Sequence, residues 1–384
     1  MSVSPARERP APEDERRAER ELLPVPRPLV AVVRTSPETV LEDYARVMRL
    51  ARYEDYLPKD RETALKINIS WHRWYPACST TPWQLEGVIK TMLDDGYPRE
   101  LLYGAHNRTV VVSAKRGEVA NKHKPVLEKY GVRNIHLYEN EEWVTYHPRG
   151  KMRALLEIFP NGIEIPKRLI GSNIVHLPTV KTHVFTVTTG AMKNAFGGLL
   201  HERRHWTHSV IHETLVDLLT IQREIHTGLF AVMDGTFAGS GPGPRCMEWY
   251  EKDVILASAD QVAIDAIAAK LMGFDPLSIG YIKMAHEAGL GCGDPEKIEL
   301  VGDDVSGESW GFRADQNTFA SRGQKLIYWG PLKPLEKFLL RSVITPWSYL
   351  ASIAYHDWYW YPLIGKRRVK KALQTKWGRL FQQY

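Results

Sequence analysis

Between residues 29 and 305, short apolar runs alternate with segments whose hydrophobic positions recur at helical spacing. The run "LVAVVRTS" predicts a buried strand, and "PETVLEDYARVMRLA" behind it predicts an amphipathic helix. Further strands are expected at "ALKINIS", "ELLYGA", "NIHLYE" and "RLIGSNIVHLP", with helices at "TPWQLEGVIKTMLDDGY" and "KRGEVANKHKPVLEKYG". Downstream, "HSVIHETLVDLLTIQREI" reads as a long helix and "GLFAVMDGTFAGSGPGP" as a strand running into a Gly/Pro loop. "VILASAD" adds a strand, "DQVAIDAIAAKLMG" a helix ended by Gly273, "DPLSIGYIKMAHEAG" another helix and "KIELVGDD" a last strand. Strands and helices alternating at this spacing predict an α/β fold, a mainly parallel sheet of right-handed βαβ units.

Three regions follow. Residues 1–28 hold six Arg, six acids and many prolines, the composition of a disordered leader. Residues 29–305 form the α/β domain, with an insertion that would divide it into two lobes near 150–170. Residues 306–384 form an aromatic, basic C-terminal extension.

Composition narrows the class. A chain of 384 residues, 43% hydrophobic and 25% charged, is expected to be globular. No apolar run reaches the ~20 residues of a membrane helix, and no apolar segment follows the charged N-terminus as in a secretory signal. A cytoplasmic place is expected. Three scattered cysteines, Cys78, Cys246 and Cys292, make no CxxC pair and cannot supply an ordinary four-cysteine iron–sulfur cluster. The net charge of +6 is concentrated in the tail, so no nucleic-acid partner is expected. Trp and Tyr beside the basic residues 366–371 suit a peripheral membrane contact or an acidic protein, made through residues 338–384. The other reading has the aromatics capping the main domain beneath a solvated basic face.

Candidate chemistry falls at the carboxyl ends of the predicted strands, where open parallel sheets bind ligands. Asn68 and Thr80 follow one strand, His106 the next, and Asp234 sits in the Gly-rich loop. The densest stretch is "HLPTVKTHVFTVTTGAMKNAFGG", residues 176–198. Its Thr188-Thr189-Gly190 leads into a helix whose first backbone N–H groups would face an anion, with Asn194 and Lys193 one turn inside and Lys181 before it. A desolvated lysine there would act as base or nucleophile. His183, Lys193, His106 and His208 are therefore the expected catalytic groups. "HERRH" matches a zinc-binding pattern that would make His201 and His205 ligands, joined by His208, although it follows a Gly-Gly turn rather than lying inside an apolar helix. Asp260 is expected to cap a helix, and Asp265, amid apolar residues, needs a partner if buried.

The motifs "LPTVKTH…TTGAMKNAFGG", "MDGTFAGSGPGP", "ASADQVAIDAIAAKLMG" and "KINISW…STTPWQLEGVIKTMLDDG" resemble domain-of-unknown-function family 362 over about residues 60 to 305. Many of its members carry ferredoxin-type cysteine motifs, which this chain lacks. "GAHNR", His183, Lys193 and His208 also stand in an order similar to the catalytic domain of lactate racemase-like proteins. That resemblance implies a lysine anchoring a nickel-pincer nucleotide and histidines that contact nickel or move protons. Here the sequence departs, reading Gly-Ala-Met-Lys and lacking the asparagine before His208.

The expectation is an enzyme, isomerase-like or oxidoreductase-like, holding a small anionic substrate or cofactor in a lysine–histidine pocket. A divalent metal is compatible with it. The competing expectation is a non-catalytic anion-binding module that docks through its tail.

Overall fold

The structure, a computed structural model, describes residues 22–342 and 345–384. Most of the expected leader, residues 1–21, lies outside the described residues. Its end is tied down: Leu23 donates its N–H to Arg223 O at 2.9 Å, and the Arg223 guanidinium donates back to Leu23 O.

Twelve strands are found among the described residues. They are β1 (Leu29–Arg34), β2 (Thr63–Ile67), β3 (Leu102–His106), β4 (Arg133–His136), β5 (Trp143–Tyr146), β6 (Ile163–Pro166), β7 (Asn173–Leu177), β8 (Thr179–His183), β9 (Val187–Thr188), β10 (Gly228–Ser240), β11 (Glu248–Ser258) and β12 (Glu299–Gly302). The main sheet runs β12-β1-β11-β10-β7-β2-β3-β4, with β8 and β9 branching from β10, and β5 pairs with β6 apart from it. All pairs from β10 to β4 are parallel, as is β12 with β1. β11 runs antiparallel to both β1 and β10. The α/β fold and mainly parallel sheet therefore stand, with β11 reversed within the main order and the two-residue β9 reversed beside β8. The reversal of β11 has a local cause: β10 passes through the Gly-rich segment to Ser240, with an irregularity between Gly235 and Phe237, and pairs with β11. β7, which follows residues 150–170, pairs with β2, which precedes them, so one sheet spans both sides of the insertion.

Local sequence accounts for the helices that cover the sheet. Thr81 and Gln84 form a reciprocal capping box at the start of Pro82–Asp94, with Pro82 at the first turn. Asp260 accepts from Val262 N and Ala263 N, as expected of an N-cap, and Gly273 ends that helix in the left-handed conformation. Helices Val40–Leu50 and Pro82–Asp94 pack one face of the sheet through Tyr44, Val47, Trp83 and Val88. Gly190–Leu199, Ile211–Ile225 and Gln261–Met272 pack the other through Met192, Leu215 and Ile264. The single helix expected over 115–131 is instead two, parted at Lys122 with φ 65°.

The extension is helical and folds back on the domain. Phe319–Tyr328 is one helix, and residues 346–372 form a continuous helical rod with a π-helical section at Ala354–Gly365. Trp360 packs on Trp71 and Tyr75, and Trp377 stacks on Trp83. Asp253 accepts from Trp377 Nε1 at 2.6 Å and pairs with Lys376 Nζ at 2.7 Å. Among the described residues no helix is long and apolar enough to cross a membrane.

Candidate functional site

A cavity of about 310 Å³ opens where β2, β3 and β8 end, with the C-terminal extension as its roof. The strand ends bring Lys66, Asn68, His106 and His183 to it. The helix Gly190–Leu199 adds Lys193 and Asn194, and the 3-10 segment Glu202–Val210 adds Arg204, His205 and His208. Tyr328, Tyr349 and His356 close it from the extension.

Its charge is one-sided. Lys66 and Arg204 are buried and Lys193 is half-buried, and Arg204 lies within electrostatic reach of each lysine. Burial pushes the Lys66 ammonium down to about 7, and Arg204 adds repulsion. Lys193 is likewise driven to about 7 by burial, then by Lys181 and Arg204. Burial lowers even the Arg204 guanidinium to about 10. Lys66 Nζ donates only to its neighbour's carbonyl, Ile67 O, at 2.5 Å, while Lys193 lies against the Phe196 ring. Among the described residues neither lysine forms an ion pair; the one acidic lining residue, Glu202, pairs with Arg108 at 3.2 Å. Buried cations without carboxylates either give up their proton or take their counter-charge from a bound anion.

The glycines of the Lys-Asn-Ala-Phe-Gly-Gly motif make room for this cluster. A Cβ at Gly198 would stand 2.7 Å from Lys66 Cε and 2.8 Å from its Cδ, so any larger residue there displaces the lysine side chain. Asn194 Nδ2 donates to Lys66 O at 2.9 Å and fixes the backbone beneath it.

The histidines are held neutral in complementary forms. Phe185 N donates to His183 Nδ1 at 3.1 Å, which places the ring proton on Nε2. His208 Nδ1 faces the carbonyl of His205 at 2.9 Å and must donate, leaving its Nε2 lone pair free. Burial, then Lys193, depresses His183 well below the usual range, and burial takes His208 to about 3. His106 is also depressed by burial, and its Nε2 lies 3.6 Å from Glu118 Oε2, beyond hydrogen-bond distance. Asn68 Nδ2, Thr189 Oγ1 and Arg245 Nη1, buried on residues that line the cavity, also have no hydrogen-bond partner among the described residues. Unsatisfied donors of this kind are the mark of a binding site rather than a finished core.

Several expected residues stand elsewhere. The helix start at Gly190 is filled from within: Ala191 N and Met192 N donate to Asp265 at 2.5 and 3.1 Å, and a Cβ on Gly190 would stand 2.2 Å from that carboxylate. This is the partner Asp265 needed, and burial raises its carboxyl to about 7. The anion expected at Gly190 is thus replaced by a side chain. Thr188 is bonded to Tyr281 OH at 2.8 Å. Lys181 Nζ donates to Cys78 O and Thr179 Oγ1, each at 2.8 Å, behind the cavity rather than in it. Thr80 ties Asn68 N to Leu177 O. Asp234 is not in a loop but inside β10, saturated by Tyr44, Thr81, Trp83 and Thr236. His201 packs edge-on against Trp143 and does not line the cavity, while His205 meets Tyr349 OH at 3.2 Å. Among the described residues no group of three or more His, Cys, Asp or Glu side chains is arranged to hold a metal.

Sequence reasoning did not pick out Lys66, Arg204, Arg245 or His356. Lys66 did leave a sign, a charged residue inside the apolar run "ALKINIS". The others become site residues only through tertiary folding.

The chain is similar to the thylakoid-associated protein sll1697 of Synechocystis sp. (strain ATCC 27184 / PCC 6803 / Kazusa), at 24% identity over 145 residues. That match covers 37% of this chain and 44% of the relative. The model of the family described as "domain of unknown function (DUF362)" matches residues 63–270, which include β2, β3, β8 and the Lys193 helix. That is more than half of its length, and the chain belongs to this family.

Proposed function

We propose that the chain is an enzyme that holds a small anionic substrate in the cavity and moves a proton on it. The observation that carries this reading is the trio Lys66, Lys193 and Arg204, buried or half-buried on one cavity with no ion-paired carboxylate. A bound anion would supply the missing charge. With ammonium groups near 7, each lysine is divided between its charged and neutral forms at neutral pH, so one can hold the anion while the other takes a proton. His183 Nε2–H suits a developing oxyanion, and the His208 Nε2 lone pair accepts a hydrogen bond from the substrate. His106, His183, Lys193 and His208, the residues that carry the racemase-like resemblance, all line this one cavity. The histidines do not form a metal-holding cluster, so no step is assigned to a metal-bearing cofactor. The relative's name, a thylakoid-associated protein, supports a peripheral place at a membrane.

Exchange of solvent deuterium into a panel of small 2-hydroxy and 2-oxo carboxylates tests the reading. The wild-type protein is expected to label at least one of them, and Lys193→Met to abolish the label. Binding of a carboxylate without any exchange would replace the enzyme with an anion-binding module. Failure to bind any small anion would overturn the site itself.

A further inference from the structure

The rod over residues 346–372 has two unlike sides. Inward, Tyr349, Ser352 and His356 roof the cavity, and Asp357 and Trp360 are buried against the core. Asp357 accepts from Trp71 Nε1 and Arg73 Nε, each at 3.0 Å. Outward, Trp347, Leu350, Trp358, Tyr359 and Leu363 recur at helical spacing, and Trp358 is 66% exposed. The same outward line continues into Lys366, Arg367, Lys370 and Lys371, all exposed and without ion pairs among the described residues. Trp347 Nε1 donates to Leu339 O at 3.1 Å, which joins this stripe to the neighbouring segment carrying exposed Leu335 and Phe338. Outside the extension the exposed large hydrophobics are scattered singly, at Leu22, Val25, Val119, Leu156 and Tyr250, while within it Phe319, Leu326, Trp329 and Leu332 are exposed as well. A concentrated apolar face of this kind marks an interaction surface.

We infer that this outward stripe docks the protein on an anionic lipid surface, lying in the interface with its aromatic part inserted and its basic part over the headgroups. The inference rests on the peripheral location proposed above and supplies the surface for it. Three observations select a bilayer. Trp and Tyr dominate the apolar part, the residues that settle at the headgroup level. The adjoining charge is entirely positive: the one acid after residue 338, Asp357, is turned inward. A rod of 27 residues spans about 40 Å, and its charged end keeps it on the surface rather than across it. Docking there sets the cavity roof directly against the membrane.

The test is co-sedimentation of the full chain with vesicles of neutral phosphatidylcholine alone or with about 30% phosphatidylglycerol. Wild type is expected to prefer the anionic vesicles, and to release at about 0.5 M salt. Trp358→Ser with Leu363→Ser, and separately Lys366→Gln, Arg367→Gln, Lys370→Gln and Lys371→Gln together, should each weaken binding about tenfold or more. All these positions are exposed, and circular dichroism with the thermal midpoint checks that the variants fold. Wild type bound to vesicles with both variants bound equally would overturn the stripe and leave the peripheral location standing. Wild type bound to no vesicle would remove both. Self-association lost in the serine variant, with no vesicle binding, would overturn the inference in favour of a second copy of the chain on this face.

Discussion

Two buried ionic centres belong to the same sheet and are treated oppositely. Asp234 in β10 accepts from Tyr44 OH at 2.6 Å, Thr81 OH at 3.0 Å, Trp83 Nε1 at 3.1 Å and Thr236 OH at 2.8 Å. Lys66 in β2 and Lys193 have, between them, one carbonyl and one aromatic ring. The first centre is complete and joins two helices to the sheet. The second is incomplete, and the cavity lies where its missing partner would be. Burial alone therefore does not distinguish a structural charge from a functional one; the number of satisfied partners does.

The comparison breaks most visibly at Asp234. Asp234→Ala removes the acceptor of five donors, of which Trp83 Nε1 keeps Thr236 Oγ1, and should cost about 3–5 kcal/mol in urea unfolding, with anion affinity unchanged. Gly198→Ala forces Lys66 aside at a loss of about 1–3 kcal/mol, and unlike Asp234→Ala should also lower anion affinity in calorimetry. Lys193→Met removes a half-buried charge that no carboxylate pairs, so it should leave stability unchanged or raise it by about 1 kcal/mol while abolishing anion binding. An equal stability loss in Lys193→Met and Asp234→Ala would erase the distinction.

Proton linkage gives the mildest test. Both lysines hold folded values near 7, below the unfolded value of 10.5, so above pH 7 the unfolded chain binds more protons. Stability of the ligand-free protein should rise from pH 7 to 9, by about 2 kcal/mol per pH unit for the two lysines together, and the rise should roughly halve in Lys193→Met. Asp265, raised to about 7, acts in the opposite sense only below that pH.

Much of the fold was legible because strands β1, β2, β3 and β7 are apolar runs with capped helices between them. The reversal of β11 was not, since Gly and Pro after Asp234 read as a loop while the backbone continued pairing through Ser240. At the site, His183, Lys193, His106 and His208 follow from their polar density near strand ends. Lys181 looked equivalent to Lys193, but its Nζ is turned back onto Cys78 O and Thr179 Oγ1 and does not reach the cavity lining. The Gly190 helix start looked open to a ligand because Asp265, distant in sequence, gave no sign that it would fill it. Arg204, inside the "HERRH" pattern, became the third cation of the pocket.

The central claim is that Lys66 and Lys193 together await an anion. Calorimetric titration with sulfate, which stays doubly charged across the range, measures it directly at pH 6 and pH 8.5. Binding is predicted at pH 6, weakened by about tenfold or more at pH 8.5 as the lysines lose their protons. A sulfate affinity that is flat with pH, or the absence of binding at pH 6, would contradict it.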